Sequence, residues 1–351
     1  MNHKEKFKEK FDNFFSNLKK PNILVCGYTG SGKTSLIQAI CGKEVVSDDK
    51  IVHGKPGTMD YLYYKSEMIN FWDSQGLELG ESENEFVEKT KGFIREKQQN
   101  PNVDNHVHLV WYCIQGSGAR VTPCDIILIN DIFKNVIALI TKNDITEELQ
   151  QRGMEKELTD SGVNRKFIIP VSCKEIESQK TLVKLSLEML PEAYRDAFIS
   201  AQIVNLESKQ KKVNGIIFSA AASAAAAGAS PIPISDAAII TPIQFGMIVA
   251  IAATYGLPRE FIRSSAGPLI AQSIGILLAE NLTKLVPVIG SIIGATVAGS
   301  LTTALGIIVN KYCVKAYEAK LRGEPMPTFD YNWSDFQKIY NQAKKEYKNK
   351  K

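Results

Sequence analysis

The run CGYTGSGKT, Cys26 to Thr34, follows the apolar stretch NILV and leads into the helix-competent SLIQAI. It matches G-x-x-x-x-G-K-[ST] at every fixed position, a pattern that works only where a strand turns tightly into a helix. Glycines in such a loop let consecutive backbone N–H groups turn inward around phosphate oxygens. The amino end of the following helix adds its positive dipole. One segment therefore dictates a buried strand, a phosphate-sized cradle and a crossover helix. Gly27, Tyr28, Thr29, Gly30, Ser31, Gly32, Lys33, Thr34 and Ser35 make up the expected cradle. Lys33 is expected to reach the β- and γ-phosphates and serve catalysis, and Thr34 to hold Mg2+. The loop alone does not choose between ATP and GTP.

Five more short apolar runs share the strand texture of NILVCG (22–27): YLYYKS (61–66), MINFWD (68–73), VHLVWYCI (107–114), NVIALITK (135–142) and KFIIPVSC (166–173). They are rich in β-branched and aromatic residues. Helical segments lie between most of them, among them EFVEKTKGFIREKQ and ITEELQQRGMEKELTDSG. Strands joined by crossover helices predict an α/β, doubly wound, mostly parallel sheet. Ligands of such sheets sit at the carboxyl ends of the strands.

The base falls to a second motif. NVIALITK leads into Thr141-Lys142-Asn143-Asp144, about 110 residues past the phosphate loop. A carboxylate at Asp144 can accept from N1–H and the exocyclic amine of guanine. Adenine has no such donor pair and would leave the carboxylate unpaired. Lys142 is expected to lay its stem along the base. In FWDSQGLE, Asp73 is expected to face Mg2+ and the Gly76 N–H the γ-phosphate. VSCK places Ser172, Cys173 and Lys174 after the last strand, to close over guanine. Thr58 is the one threonine between the SLIQAI helix and YLYYKS, and is assigned as the residue sensing γ-phosphate and Mg2+.

GYTGSGKT, Thr58, DSQG, TKND and SCK, in this order, resemble the translation-factor-related class of GTPases over about residues 21–190. Within that class, bacterial Era-like GTPases often carry a hydrophobic C-terminal domain of unknown function, which ASPIPISDAAIITPIQFGMIVAIAATYG (229–256) closely resembles. The resemblance departs at two positions. Gly30 stands where many Era-like proteins place a potassium-binding asparagine. Leu77 stands where Ras-like proteins place the glutamine that orients water. The TGSGKT form is instead similar to septins, chloroplast-import GTPases and immunity-related GTPases, which implies a nucleotide-dependent homodimer. Without a water-positioning group, turnover is expected to be slow, on the order of 10⁻⁴ to 10⁻² s⁻¹, unless an activator or self-association quickens it.

Past residue 190 the texture changes. EAYRDAFISAQIVNLESKQKKV reads as one amphipathic helix with Tyr194, Ala197, Phe198, Ala201 and Val204 on one face. Long weakly polar runs follow at 215–229, 237–257 and 285–310, broken by Pro231, Pro233, Pro242, Pro258, Pro268 and Pro287. A helix needs about 20 apolar residues to cross a bilayer. The uncharged run 285–310, with Gly290-x-x-x-Gly294 and Ala295-x-x-x-Gly299, meets that length and the small-residue spacing of packed membrane helices. Gln244, the internal prolines and many alanines favour instead an all-α domain buried in itself. Both readings stay open: lipid contact through 213–310, or a soluble helical core. At the amino end, Phe7, Phe11, Phe14, Phe15 and Leu18 share a face that suits either an interfacial anchor or packing on the protein itself.

The expected organisation is an amphipathic helix at 1–20, a nucleotide-binding domain at 21–190, a hydrophobic helical domain at 191–325 and a basic tail at 326–351. Six scattered cysteines without a CxxC pair fit a reducing compartment. The charged first twenty residues do not read as a secretory signal. The expected place is the cytoplasm, with peripheral or integral attachment at the inner face of the cell membrane. A net charge of +4 does not argue for nucleic acid. Three functions are carried forward: a slow Mg2+-dependent GTPase switch acting on an unknown effector, a GTP-driven assembling or membrane-remodelling scaffold, and ribosome assembly. The last is the weakest, because the C-terminal half lacks the basic GxxG loop of an RNA-binding KH domain.

Overall fold

The computed structural model describes residues 3–47, 61–74, 82–118, 120–229, 236–262, 295–328 and 333–349. In chain order the first elements are α1 (His3–Asn17), β1 (Asn22–Gly27), α2 (Lys33–Cys41), β2 (Tyr61–Lys65), β3 (Asn70–Ser74) and α3 (Glu83–Gln98). Next come β4 (Leu109–Gln115), α4 (Pro123–Ile127), β5 (Val136–Thr141), α5 (Glu148–Asp160), β6 (Ile168–Pro170), α6 (Ile176–Met189) and α7 (Glu192–Ala201). The chain continues through α8 (Leu206–Gly228), α9 (Asp236–Thr254), α10 (Ala295–Arg322) and α11 (Trp333–Asn349).

All six expected strands form, in one sheet of order β2-β3-β1-β4-β5-β6. Only β2 runs antiparallel, joined to β3 by a short turn in which Ser66 N–H donates to the Ile69 carbonyl. The parallel strands are buried on both faces, which is why they read as continuous apolar runs rather than alternating ones. One face packs Leu36, Ile37 and Ile40 of α2 and Leu182 and Val183 of α6 onto Ile23, Val25, Trp111 and Leu139. The other packs Phe86 and Phe93 of α3 and Met154 and Leu158 of α5 onto Leu24, Tyr112 and Ile140. At the amino ends of the strands, His108 Nδ1 accepts from Asn22 N–H (2.9 Å), and its Nε2 meets the Val103 carbonyl (3.0 Å).

The chain divides into two units: Lys19–Leu206, and Met1–Leu18 with Glu207–Lys351. The sheet unit thus runs past residue 190, because Phe198 of α7 and Val204 are part of the core under β4. The single helix expected over EAYRDAFISAQIVNLESKQKKV is two. Gln202 breaks it by accepting from the backbone N–H groups of Val204 (2.9 Å) and Asn205 (2.7 Å), so their carbonyl partners in a helix are not needed.

In the helical unit, α1 packs on α9, with Phe11 and Phe15 buried and the Arg259 guanidinium 4.2 Å from the Phe15 ring centroid. The basic tail expected at 326–351 is helical over Trp333–Asn349. It forms α11, whose Phe336 and Tyr340 pack on Leu301 and Ala304 of α10. A Cβ on Gly306 would meet Ile217 Cγ1 at 2.8 Å and Met247 Sδ at 3.1 Å, so glycine lets α10 lie close to α8 and α9. Polar pairs also cross this packing: Gln244 with Thr302 (3.2 Å) and Tyr255 with Asn310 (2.6 Å). Pro242 lies inside α9. Pro231, Pro233, Pro268, Pro287, Gly290 and Gly294 lie outside the described residues. Among the described residues one helix, α10, is long and apolar enough to cross a membrane, with mean hydropathy 1.3 and 61% of that window buried. All six cysteines are free, and only Cys173 is exposed.

Candidate nucleotide site

The phosphate loop leaves β1 at Gly27, whose φ of +139° is the left-handed range that glycine tolerates. A Cβ there would sit 2.2 Å from the Cys113 carbonyl oxygen, so the loop's first residue has to be glycine for β1 and β4 to stay paired. Gly30 (+79°) and Gly32 (+87°) continue the turn into α2. Lys33 is 6% exposed and arches back over the loop, donating to the carbonyls of Gly27 (3.0 Å) and Tyr28 (2.9 Å). An ammonium has three donors, so one is left for a phosphate oxygen.

Thr34 Oγ1 donates to Asp73 Oδ2 at 2.6 Å, joining the start of α2 to the end of β3. Asp73 is buried, and its Oδ1 has no partner among the described residues. Burial pushes its carboxyl pKa up, against the opposing pull of Thr34 and Lys33. A buried carboxylate oxygen without a partner, beside a hydroxyl, is a donor set that fits Mg2+. Among the described residues no cluster of three acidic, cysteine or histidine side chains could hold a metal. Thr34 and Asp73 are thus the ligands that the described residues offer a Mg2+, which also takes oxygens from phosphate and water.

The base motif is tied to this loop. Thr141, the last residue of β5, donates its hydroxyl to the Ser31 carbonyl at 2.7 Å and lies 3.1 Å from the Ile114 carbonyl. Lys142 follows with φ 55°, the one non-glycine at positive φ among the described residues. Asp144 accepts from Ser172 Oγ (2.8 Å) and Lys174 Nζ (2.7 Å). These two donors, Lys174 foremost, hold its carboxyl below the ordinary range. The loop after β6 is in turn fixed by Gln179, buried and donating to the Ser172 carbonyl at 3.1 Å. Cys173 sits exposed beside them.

The expected residues on β1, β3, β5 and β6 therefore gather at the carboxyl ends of the strands. Thr34 meets Asp73, Thr141 meets Ser31, and Asp144 meets Ser172 and Lys174. Thr58, Gln75, Gly76 and Leu77 lie outside the described residues.

One cluster escaped the sequence reading. Tyr28 Oη lies 2.9 Å from Glu83 Oε1 and 3.0 Å from Thr122 Oγ1. Thr122 caps α4 in a reciprocal box with Asp125, and Asp125 accepts from Tyr112 Oη at 2.7 Å. Burial pushes the Tyr28 hydroxyl pKa up, and burial does the same for the carboxyl of Asp125. The signal was there to read: Thr122-Pro123-Cys124-Asp125 is a capping box with proline at the first helical position.

Residues 22–143 match the family model described as 50S ribosome-binding GTPase, so this stretch carries a P-loop GTPase domain. A curated relative, magnetosome membrane protein 22 of Magnetospirillum gryphiswaldense, is 33% identical over 100 residues, covering 26% of this chain and 51% of the relative. The chain thus spans about half the length of that relative. Among solved structures, Aquifex aeolicus Era bound to GDP and AlF4⁻ is 22% identical at a TM-score of 0.35, covering 50% of this chain and 58% of its own. The septin GTPase domain of Chlamydomonas reinhardtii is 18% identical at a TM-score of 0.29, covering 40% of this chain and 59% of its own.

Proposed function

We propose that the chain is a slow GTPase switch, binding GTP and GDP with Mg2+ and coupling nucleotide state to its helical unit. The observation that carries this is the Thr141–Ser31 bond, which makes the base motif and the phosphate loop one frame. Gly27 to Ser35 cradle the phosphates, with Lys33 and the Gly76 N–H stabilising charge on the transferring group. Thr34 and Asp73 hold Mg2+ with Thr58, and the metal neutralises phosphate charge when bound. Asp144 reads guanine with Lys142, while Ser172, Cys173 and Lys174 close the base site.

Lys174 and Ser172 hold the Asp144 carboxyl below its ordinary range, which favours the carboxylate form that accepts two hydrogen bonds from the base. Leu77 in place of an amide makes hydrolysis slow until an activator or a second copy completes the site. The Era-like identity, with its C-terminal domain of unknown function, rests on the 229–256 stretch. Two observations support membrane association of the helical unit: the length and apolar character of α10, and a relative whose name places it in a membrane.

GTP, GDP and ATP binding measured in parallel tests the reading. Asp144→Asn is expected to lose the guanine preference and gain affinity for xanthosine nucleotides. ATP binding as tight as GTP in the unchanged protein sinks the assignment.

A second reading, GTP-driven assembly, is favoured by three exposed aliphatic residues around the base motif: Ile145 (61% exposed), Leu149 (82%) and Ile176 (47%). Under this reading turnover per molecule rises with protein concentration, and Leu149→Lys abolishes the rise. Turnover independent of concentration rejects it.

A further inference from the structure

Tyr28 stands at a variable position of the phosphate loop, yet both its ends are fixed. Its carbonyl accepts from Lys33 Nζ (2.9 Å) and from Ser31 N–H (3.1 Å). Its hydroxyl lies between Glu83, the first residue of α3, and Thr122, the cap of α4. The ring lies 6.5 Å from that of Phe86, which is buried one turn into α3.

Tyrosine and threonine hydroxyls carry one proton each, which allows three arrangements: in one, Tyr28 donates to Glu83 and Thr122 to Asp125, and in the other two Tyr28 and Thr122 are bonded to each other. In the former of these two, Tyr28 donates to Glu83 while Thr122 donates to Tyr28. In the latter, Tyr28 donates to Thr122, and Thr122 donates to Asp125 Oδ2, 3.0 Å away. The former leaves Asp125 held by the Thr122 backbone N–H (2.7 Å) and Tyr112. Only the former bonds the hydroxyl to both helix starts, because a proton given to Thr122 is not given to Glu83. It adds a charge-assisted bond, the stronger kind.

We propose that Tyr28 is a positioning residue that clasps the starts of α3 and α4 to the phosphate loop, so that phosphate drawn to Lys33 is felt at both helices. The proposal rests on the phosphate-binding reading of the loop. Lys33 is the shared element. The ammonium that holds the Tyr28 carbonyl keeps its third donor for phosphate, so binding there stiffens the backbone from which the Tyr28 side chain projects. Glu83 and Thr122 transmit that stiffness without touching the nucleotide.

Amide hydrogen exchange on the full-length chain, with and without GDP and Mg2+, tests it. In the unchanged protein, GDP is expected to slow exchange in the first turns of α3 and α4 together. Tyr28→Phe is expected to speed exchange at both helix starts about tenfold, as loss of a hydrogen bond to a charged group implies. Glu83→Met is expected to cancel the GDP response at α3 with GDP affinity within about twofold, and Glu83→Gln, which keeps an acceptor, to restore it. A Glu83→Met chain that keeps the full response, or a Tyr28→Phe chain with unchanged exchange at both helices, overturns the clasp. If the unchanged protein binds no guanine nucleotide, the proposed function fails. The clasp is then judged by the Tyr28→Phe exchange without nucleotide, where no release of α3 and α4 rejects it.

Discussion

Replacing Thr141 with valine removes one hydroxyl and leaves the shape of the side chain nearly unchanged. The site is 4% exposed, so no water replaces what is lost. The Ser31 carbonyl, 2.7 Å from that hydroxyl, loses its donor. A net hydrogen bond is worth about 1 kcal/mol, and a stranded buried acceptor costs about 1–3 kcal/mol. We take about 1–2 kcal/mol for the exchange, because the second acceptor, Ile114 O at 3.1 Å, sits in the β-sheet and shares the hydroxyl only at longer range. For a unit of this size that is a fall of about 2–8 °C in Tm. The same loss frees the phosphate loop from β5, so the loop has to be ordered by its ligand. GDP affinity is then expected to fall by up to about tenfold, the equivalent of about 1.4 kcal/mol. Thermal melts and GDP titrations in Mg2+ measure both effects. Thr141→Ser keeps the hydroxyl and is the control, with affinity close to that of the unchanged protein. A valine variant with unaltered Tm and affinity refutes the frame, and so does a serine variant as weak as valine.

Three further outcomes follow from buried polar groups. Burial raises the Asp73 carboxyl pKa, so above that raised value the native chain carries a charge it would shed. Asp73→Asn is expected to raise Tm by a few degrees (about 1 kcal/mol) without Mg2+ and to remove the Mg2+ dependence of GDP binding; a lower Tm would count against the charge being unsatisfied. Burial, foremost, holds the His108 pKa below its ordinary 6.5, with His106 and Lys19 lowering it further and Val103 and Asp104 opposing. The unfolded chain then binds the proton first, so this contribution is complete above pH 6.5 and lost as pH falls toward the folded value. His108→Gln should flatten the slope of Tm with pH below neutrality, and an unchanged slope removes His108 from the account. Tyr340 is fully buried, and its hydroxyl has no partner among the described residues. Tyr340→Phe is therefore expected to be neutral or stabilising by up to about 1 kcal/mol in a melt, whereas a loss of stability exposes a partner.

The sheet was legible because strands buried on both faces must be short and apolar throughout, and NILVCG and VHLVWYCI could be little else. The site was legible for a related reason. Phosphate loops and base motifs fix backbone geometry, so their residue types recur at fixed spacing. Gly27 shows this most directly, since only a missing Cβ allows β1 to pass Cys113. Side chains that act across the sheet are harder to see. Tyr28 fills a variable position of the motif, and nothing in GYTGSGKT says that its hydroxyl lies beside Glu83 and Thr122.

The break between α7 and α8 shows where periodicity misleads. Tyr194, Ala197, Phe198, Ala201 and Val204 keep a helical spacing across the very residues where the helix stops. The spacing survives because Phe198 and Val204 both face the core under β4, whatever backbone lies between them. What ends the helix is a set of competing partners. Gln202 takes the N–H groups of Val204 and Asn205, and Ile203 gives its own to the Ile40 carbonyl at 2.8 Å. Ile40 lies in the last turn of α2, the helix that opens at Lys33. The helix that starts at the phosphate loop and the turn that leads into α8 therefore share a hydrogen bond. No hydrophobic period encodes such a bond, because its acceptor lies more than half the sheet unit away in sequence.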